Sequence, residues 1–210
     1  QDITERVAAE ERIRQLAVTI AEWLKAEVKP TGRAALLSKA DLLTEMVGEF
    51  PELQGTMGRY YALNDGEPQE VADAIEAHYR PRFSGDALPE GLVGMAVALA
   101  DKLDALAGLF GIGQAPTGER DPFGLRRAAL GVIRILIERD LPLSIHDLID
   151  QSFAVYNGKI GSANADLEAF IQDRLSGYLR DRGYSALEVD SVLHAEHRRI
   201  TDTVRQLEAV

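Results

Sequence analysis

Residues 89–110, PEGLVGMAVALADKLDALAGLF, constrain the fold more than any other stretch of the chain. They would form a helix of roughly six turns. The helix is apolar almost all round, and Asp101, Lys102 and Asp104 interrupt it on its C-terminal half. Because a helix that is apolar on every side must be covered by other elements, we expect this segment to be the central, buried helix of a bundle.

The rest of the chain carries the same helical periodicity. Residues 2–28, for example, place apolar side chains three or four positions apart, with charges between them. The stretch VKPTG is predicted to end that first helix, whereas Asp121 with Pro122, and later Ser144, are predicted to begin others. No segment alternates with a period of two, so the predicted class is all-α. The predicted helices cover residues 2–28, 33–48, 68–79, 89–110, 121–139, 144–156, 162–181, 185–196 and 199–209.

Composition excludes several classes of protein. With 46% hydrophobic and 27% charged residues over 210 positions, the chain is globular, and it lacks the apolar run that a membrane span needs. It has no cysteine, which excludes disulfides and thiolate chemistry and fits a cytoplasmic protein. The net charge of −11 repels nucleic acid, so any nucleic-acid contact must use local arginines or a larger assembly. Without an initiator methionine, the chain is expected to be a segment of a longer protein.

Two aspartates fall inside predicted buried helices, Asp41 in the second and Asp101 in the central one. A carboxylate in an apolar interior is costly unless it is ion-paired, hydrogen-bonded or bound to a metal. Three interpretations follow: ion pairs within the protein, a metal site, or an acid–base pair for catalysis. The candidate cationic partners are Lys39, Lys102, Arg33 and Arg127.

The four histidines do not complete a metal site in sequence. A catalytic divalent metal needs about three to six converging nitrogen or oxygen ligands. His78 ends a polar helix, His146 begins another in SIHDLID, and His194 and His197 share one helix face. We predict surface or capping roles for all four. Phosphate-loop and nucleophile-elbow motifs are also missing from the sequence, and nothing else in it indicates an independent enzyme.

Arginines gather in the segment GERDPFGLRRAALGVIRILIERD. Arg120, Arg126 and Arg127 lie close to the predicted helix N-terminus, where backbone N–H groups also attract anions. These three arginines are the predicted phosphate contacts. In the alternative interpretation they pair internally; the candidate partners are Glu119, Asp121, Glu138, Asp140 and the buried aspartates.

Three ordered phrases, EFPELQG, GIGQAPTG and DPFGLRRAALG, resemble the middle of the bacterial glycyl-tRNA synthetase beta subunit. The resemblance is densest over residues 33–140 and continues more weakly on both sides. It implies an HD-domain-like helical bundle over residues 1–140, followed by a smaller helical sub-bundle over 141–210. The loop at 111–119 and the turn at 157–164 are predicted seams between sub-bundles.

The resemblance also implies which motif positions Asp41 and Asp101 occupy. HD-type phosphohydrolases carry an early histidine, a His-Asp doublet and a later lone aspartate. Here Ala40-Asp41 resembles the doublet with its histidine replaced, and Asp101 resembles the lone aspartate, while residues 12–20 offer no early histidine. The resemblance therefore implies a degenerate HD-like domain without a metal, in which His146-Asp147 is a coincidence.

In such a synthetase the alpha subunit activates glycine with ATP and Mg²⁺, and the beta subunit is needed to hold tRNA(Gly). The resemblance thus implies a non-catalytic, cytoplasmic scaffold whose partners are the alpha subunit, the rest of the beta subunit and tRNA(Gly). Arg120, Arg126 and Arg127 would contact tRNA, and the segment itself would need no cofactor. Two alternatives stay open: a working HD phosphohydrolase that binds Mn, Fe or Zn, and a purely structural module.

Overall fold

The structure, a computed structural model, describes residues 3–193 and 199–209, and these residues form α-helices without any β-strand. The predicted all-α class is therefore confirmed. Within the same residues, no helix combines the length and the apolar character needed to cross a bilayer.

The chain divides into two compact units, Gln1–Asp104 and Ala105–Val210. The division falls inside the long helix α6, Leu92–Gly111. The division at residue 140 that the sequence suggested lies within the second unit and stays a prediction.

The first unit is built from six helices and two short 3-10 segments. Helix α1 packs against α2, α2 against α5, and α5 against α4. The largest side chains with almost no exposure in this unit are Leu16, Ile20, Ile75, Leu99 and Leu103. The α-helices are α1 (Ile3–Leu24), α2 (Val28–Leu37), α3 (Glu45–Glu49), α4 (Thr56–Asn64), α5 (Gln69–Ala77) and the first part of α6; the 3-10 segments are Ala40–Leu43 and Pro51–Leu53.

The structure corrects two sequence predictions in this unit. VKPTG does not simply end a helix: it forms the first turn of α2, where Pro30 is tolerated because the first-turn N–H groups have no intrahelical acceptor. The predicted helix over 33–48 is broken into α2, a 3-10 segment and α3. Thr44 begins α3, because its hydroxyl accepts a 3.4 Å hydrogen bond from the Val47 N–H.

Within residues 105–193 and 199–209, the second unit contains the end of α6 and five further helices. Helix α9 packs against α7, α8 and α10, and α11 packs against α7 and α10. Ser144 caps α8 as predicted, accepting a 3.2 Å hydrogen bond from the Asp147 N–H. The helices are α7 (Leu125–Glu138), α8 (Ile145–Ala154), α9 (Asn164–Asp181), α10 (Ala186–Leu193) and α11 (Ile200–Glu208).

Helix α6 is buried on all sides in its middle turns, as its composition predicts. Consecutive residues from Ala96 to Ala100 have no exposed surface, so every face of the helix is covered over that turn and a half. Lys102 and Asp104 are also buried, at 7% and 6% exposure. These charged groups must therefore find partners inside the first unit.

Candidate functional site

Asp41 lies in the 3-10 segment between α2 and α3 and is only 2% exposed. Its Oδ2 accepts hydrogen bonds from the N–H groups of Gly55, at 2.7 Å, and Gly58, at 3.1 Å. These groups lie at the N-terminus of α4, where backbone donors lack intrahelical acceptors. The prediction of a cationic partner for Asp41 is wrong: the carboxylate is stabilised by a helix N-terminus instead.

Gly58 makes this arrangement possible. A Cβ at this position would lie 2.8 Å from Ile75 Cγ2 and 3.1 Å from Asp41 Oδ2. Only a residue without a side chain lets the α4 backbone approach both the carboxylate and α5 so closely. Residues 54–58, QGTMG, therefore have a structural role, since they bring backbone donors to Asp41.

Asp101 has the cationic partner that the sequence suggested. Lys39 Nζ lies 2.6 Å from Asp101 Oδ1, and the aspartate side chain is 17% exposed. Burial acts to raise the pKa of Asp101, but the charges of Lys39 and neighbouring groups outweigh it and hold that pKa below its ordinary value. Asp101 is thus ionised at neutral pH and neutralised by a lysine.

His78 ends α5, as predicted, but it lies in the interior and not on the surface. It is fully buried at the C-terminus of α5, where its Nδ1–H donates a 2.6 Å hydrogen bond to the Ile75 carbonyl. Burial lowers the pKa of His78 to about 4, against the opposing attraction of Asp101, so the ring is neutral at neutral pH. His78 follows Val71 and Ala74 on the buried face of α5. This apolar periodicity was the feature of the sequence that could have predicted its burial.

Lys102 completes a polar cluster with Lys39, His78 and Asp101. Its Nζ donates to the carbonyl oxygens of His78, at 3.1 Å, and Arg80, at 2.9 Å. Burial lowers the pKa of Lys102 to about 8, while Asp101 acts in the opposite direction. The ammonium group therefore fixes the chain that leaves α5.

The donor set of this cluster does not suit a divalent metal. Ala40 offers no imidazole, Asp41 Oδ2 is engaged by two amides, and Lys39 places a positive charge beside Asp101. In residues 3–193 and 199–209, no three His, Asp or Glu side chains converge as metal ligands do. Asp101 is neutralised by Lys39, and Asp41 Oδ2 is held by backbone amides.

The other histidines lie outside this cluster. His146 is on the surface, as predicted, 3.4 Å from Asp150 Oδ2 and 3.3 Å from Glu168 Oε2. A hydrogen bond to Glu168 and the charge of Asp150 raise the pKa of His146. His194 and His197, the predicted i, i+3 pair, lie outside the described residues.

The arginine-bearing segment belongs to the second unit and is organised by Asp121. Its Oδ1 accepts a 2.8 Å hydrogen bond from the Leu125 N–H, and its Oδ2 a 2.9 Å hydrogen bond from the Arg126 N–H. The prediction of Asp121 as N-cap with Pro122 in the first turn is wrong: Gly124 is the N-cap and α7 begins at Leu125, although Asp121 still accepts from the first two helical amides. These two amides already hold a carboxylate, so any anion here must be bound by arginine side chains.

The three arginines predicted to contact phosphate, Arg120, Arg126 and Arg127, have no carboxylate partner among the described residues. Arg120 and Arg127 are exposed, and Arg126 is half-buried with its guanidinium hydrogen-bonded to the Gly118 carbonyl. Across the described part of the chain, none of the three forms an ion pair. Two of their proposed internal partners have other cations: Glu138 pairs with Arg134 at 2.8 Å, and Asp140 pairs with Arg205 at 2.6 Å.

Comparison with known proteins identifies the family. The model of the glycyl-tRNA synthetase beta subunit family matches residues 3–194, which is nearly the whole chain. The chain belongs to this family. Glycine--tRNA ligase beta subunits from Polaromonas naphthalenivorans and Paracidovorax citrulli are each 57% identical over 202 residues, or 95% of the chain. The protein of that name from Janthinobacterium sp. (strain Marseille) is 56% identical over 206 residues, or 98% of the chain.

The match covers only part of each relative. The chain spans 28% of the length of the Polaromonas and Paracidovorax proteins and 29% of the Janthinobacterium protein. The resemblance to the glycyl-tRNA synthetase beta subunit is thus confirmed for a segment. Nothing in the comparisons favours a phosphohydrolase.

Proposed function

We propose that this chain is a non-catalytic helical segment of a glycine–tRNA ligase that helps to bind and position tRNA(Gly). In this proposal an alpha subunit activates glycine with ATP and Mg²⁺, and the rest of the beta subunit joins the two. The support is the family membership and the name that relatives with 57% identity carry. Such a ligase acts where tRNA is used, so we place it in the cytoplasm.

The non-catalytic role is supported by the interior of the first unit. We propose that Ala40, Asp41 and Asp101 occupy the positions of an HD doublet and a lone aspartate. The two carboxylates are engaged by the amides of α4 and by Lys39. Asp41 Oδ2 and Asp101 Oδ1 are already engaged by amides and by a lysine, and these contacts compete with binding a metal-activated water. They support the scaffold role.

The tRNA contact is carried by one observation: Arg120, Arg126 and Arg127 form no ion pair with a described residue, although the chain has 34 acidic residues. Most arginines in a chain of net charge −11 find a carboxylate nearby. Three unpaired guanidinium groups around one turn provide local positive charge and the planar donor geometry that suits phosphate. We therefore propose that they contact the RNA backbone.

The test is made in the full-length ligase with its alpha subunit, comparing the double variant Arg126→Ala/Arg127→Ala with Arg127→Ala alone. If two phosphate contacts are lost, KM for tRNA should rise roughly tenfold or more. The dependence of log K on log salt concentration should become shallower by about 1.5 to 2. The matched control is Arg205→Ala, which removes an exposed arginine that is paired with Asp140. An unchanged KM and an unchanged salt slope in a folded double variant reject the contact.

The phosphohydrolase alternative has a separate test. Elemental analysis of the purified protein should find no stoichiometric Mn, Fe or Zn. A metal content near one per chain that disappears in Asp41→Asn would instead support the hydrolase.

A further inference from the structure

The turn that precedes α7 exposes an aromatic ring. Phe123 is 55% exposed, within the turn of residues 121–124 that Asp121 closes through the Leu125 and Arg126 amides. Gly124 follows in the left-handed conformation, with φ of +67°, which a residue with a Cβ rarely adopts. The ring is therefore held in an exposed position by a defined turn.

Arginines surround this turn. Thr117 and Arg120 exchange two backbone hydrogen bonds, of 3.2 and 2.9 Å, that close a small loop, and the Arg126 guanidinium ties the Gly118 carbonyl of this loop to α7. Arg127 folds back over Gly124, since a Cβ there would lie 2.7 Å from its Nη2. Along the chain, Phe123 thus lies between arginines that contact the turn and form no ion pair with a described residue.

An exposed aromatic residue next to arginines does not by itself form an anion-binding site, as Phe83 in the first unit shows. It is 59% exposed, but neighbouring Arg82 pairs with Asp86 at 3.5 Å and Arg80 pairs with Glu76 at 3.3 Å. There the positive charge is already neutralised, so a phosphate gains little. Phe123 differs because Arg120, Arg126 and Arg127 form no ion pair with any residue that the structure describes.

We propose that Phe123 stacks on an unpaired nucleobase of the bound RNA while the surrounding arginines hold the flanking phosphates. This inference rests on the proposed tRNA contact and names its ligand: an unstacked base in a loop or single-stranded end. Every nucleobase has a face that can stack on an aromatic ring, and single-stranded RNA is commonly held by such rings together with cationic side chains. Bases inside a duplex are already stacked, so a purely double-stranded contact would leave the ring unused.

The experiment measures charging of tRNA(Gly) by the full-length ligase with Phe123→Ala and Phe123→Trp. Loss of one stacked base should lower kcat/KM for tRNA by about 5- to 100-fold, and Phe123→Trp should restore it. Since the ring carries no charge, the salt slope of Phe123→Ala should equal that of the unaltered protein. Phe83→Ala is the matched control and should change kcat/KM by less than about twofold.

The outcomes separate this inference from the proposed function. If the arginine variants weaken binding but Phe123→Ala does not, stacking is overturned and the phosphate contact stands. If Phe123→Ala weakens binding and the arginine variants do not, the ring binds a base without the arginines. If Phe123→Ala instead lowers the melting temperature or the association with the alpha subunit, and Phe123→Trp fails to restore charging, the ring is a protein contact and the inference is wrong.

Discussion

Acidification should destabilise the first unit through His78. The ring is buried as the neutral form, with its pKa lowered from 6.5 to about 4. Between these two values the unfolded chain binds more protons than the folded one, so the free energy of unfolding falls as the pH falls through that window. Above pH 6.5 this contribution is fully present, and below pH 4 it is lost. From pH 7 to pH 5 the expected loss is about 2 kcal/mol.

The assay is urea unfolding between pH 5 and 7, followed by circular dichroism. His78→Asn serves as the comparison because its amide can donate to the Ile75 carbonyl but does not titrate. The variant should be less stable at pH 7, yet its stability should vary less with pH. His146→Asn is a control of opposite sign: the raised pKa of His146 contributes stability that is present below pH 6.5 and is lost as the pH rises.

Nuclear magnetic resonance tests the same reasoning directly. The Hε1 signal of His78 should not titrate above pH 5, whereas that of His146 should report a pKa above the ordinary value of a histidine. The reasoning is refuted if His78 titrates normally, or if His78→Asn and the unaltered protein lose stability in parallel from pH 7 to pH 5.

Two further expectations concern the contacts of Asp41. Asp41→Ala removes the acceptor of the Gly55 and Gly58 amides and should lower the free energy of unfolding in urea by about 2 kcal/mol or more; a change no larger than at an exposed site would contradict the cap. Gly58→Ala would force a Cβ against Ile75 and should cost about 1 to 3 kcal/mol. Its matched control, Gly48→Ala, meets no atom within 4 Å and should stabilise α3 by about 0.5 to 1 kcal/mol; equal effects of the two would contradict this packing.

Periodicity predicted the helices well where the packing is regular. The segment 162–181 was predicted and α9 spans Asn164–Asp181; the segment 89–110 was predicted and α6 spans Leu92–Gly111. In these segments the spacing of the apolar residues matches the positions that are buried in the fold. The prediction of one helix over 33–48 is wrong because the chain there turns Asp41 inward to contact α4. That contact joins residues that are 14 and 17 positions apart in the sequence. Apolar spacing carries no information about such a contact.

For the same reason, the partner of the buried charge was predicted correctly for Asp101 and wrongly for Asp41. Lys39 was among the predicted cationic partners, and it does pair with Asp101. Asp41 binds the backbone amides of Gly55 and Gly58, and neither charge nor apolar spacing marks a backbone amide in the sequence. The candidate arginines could be named from sequence, but their lack of ion pairs follows from the positions of Arg134 and Arg205 relative to Glu138 and Asp140. Proximity in sequence to an acidic residue does not predict the pair that forms.

The lysine beside Asp101 also limits how this protein can evolve. Ala40→His alone would add one imidazole, yet Lys39 would still neutralise Asp101 and two amides would still hold Asp41. Removing Lys39 first would leave the poorly hydrated carboxylate of Asp101 without its counterion. One step toward a metal centre, the loss of Lys39, would therefore pass through a weakened protein.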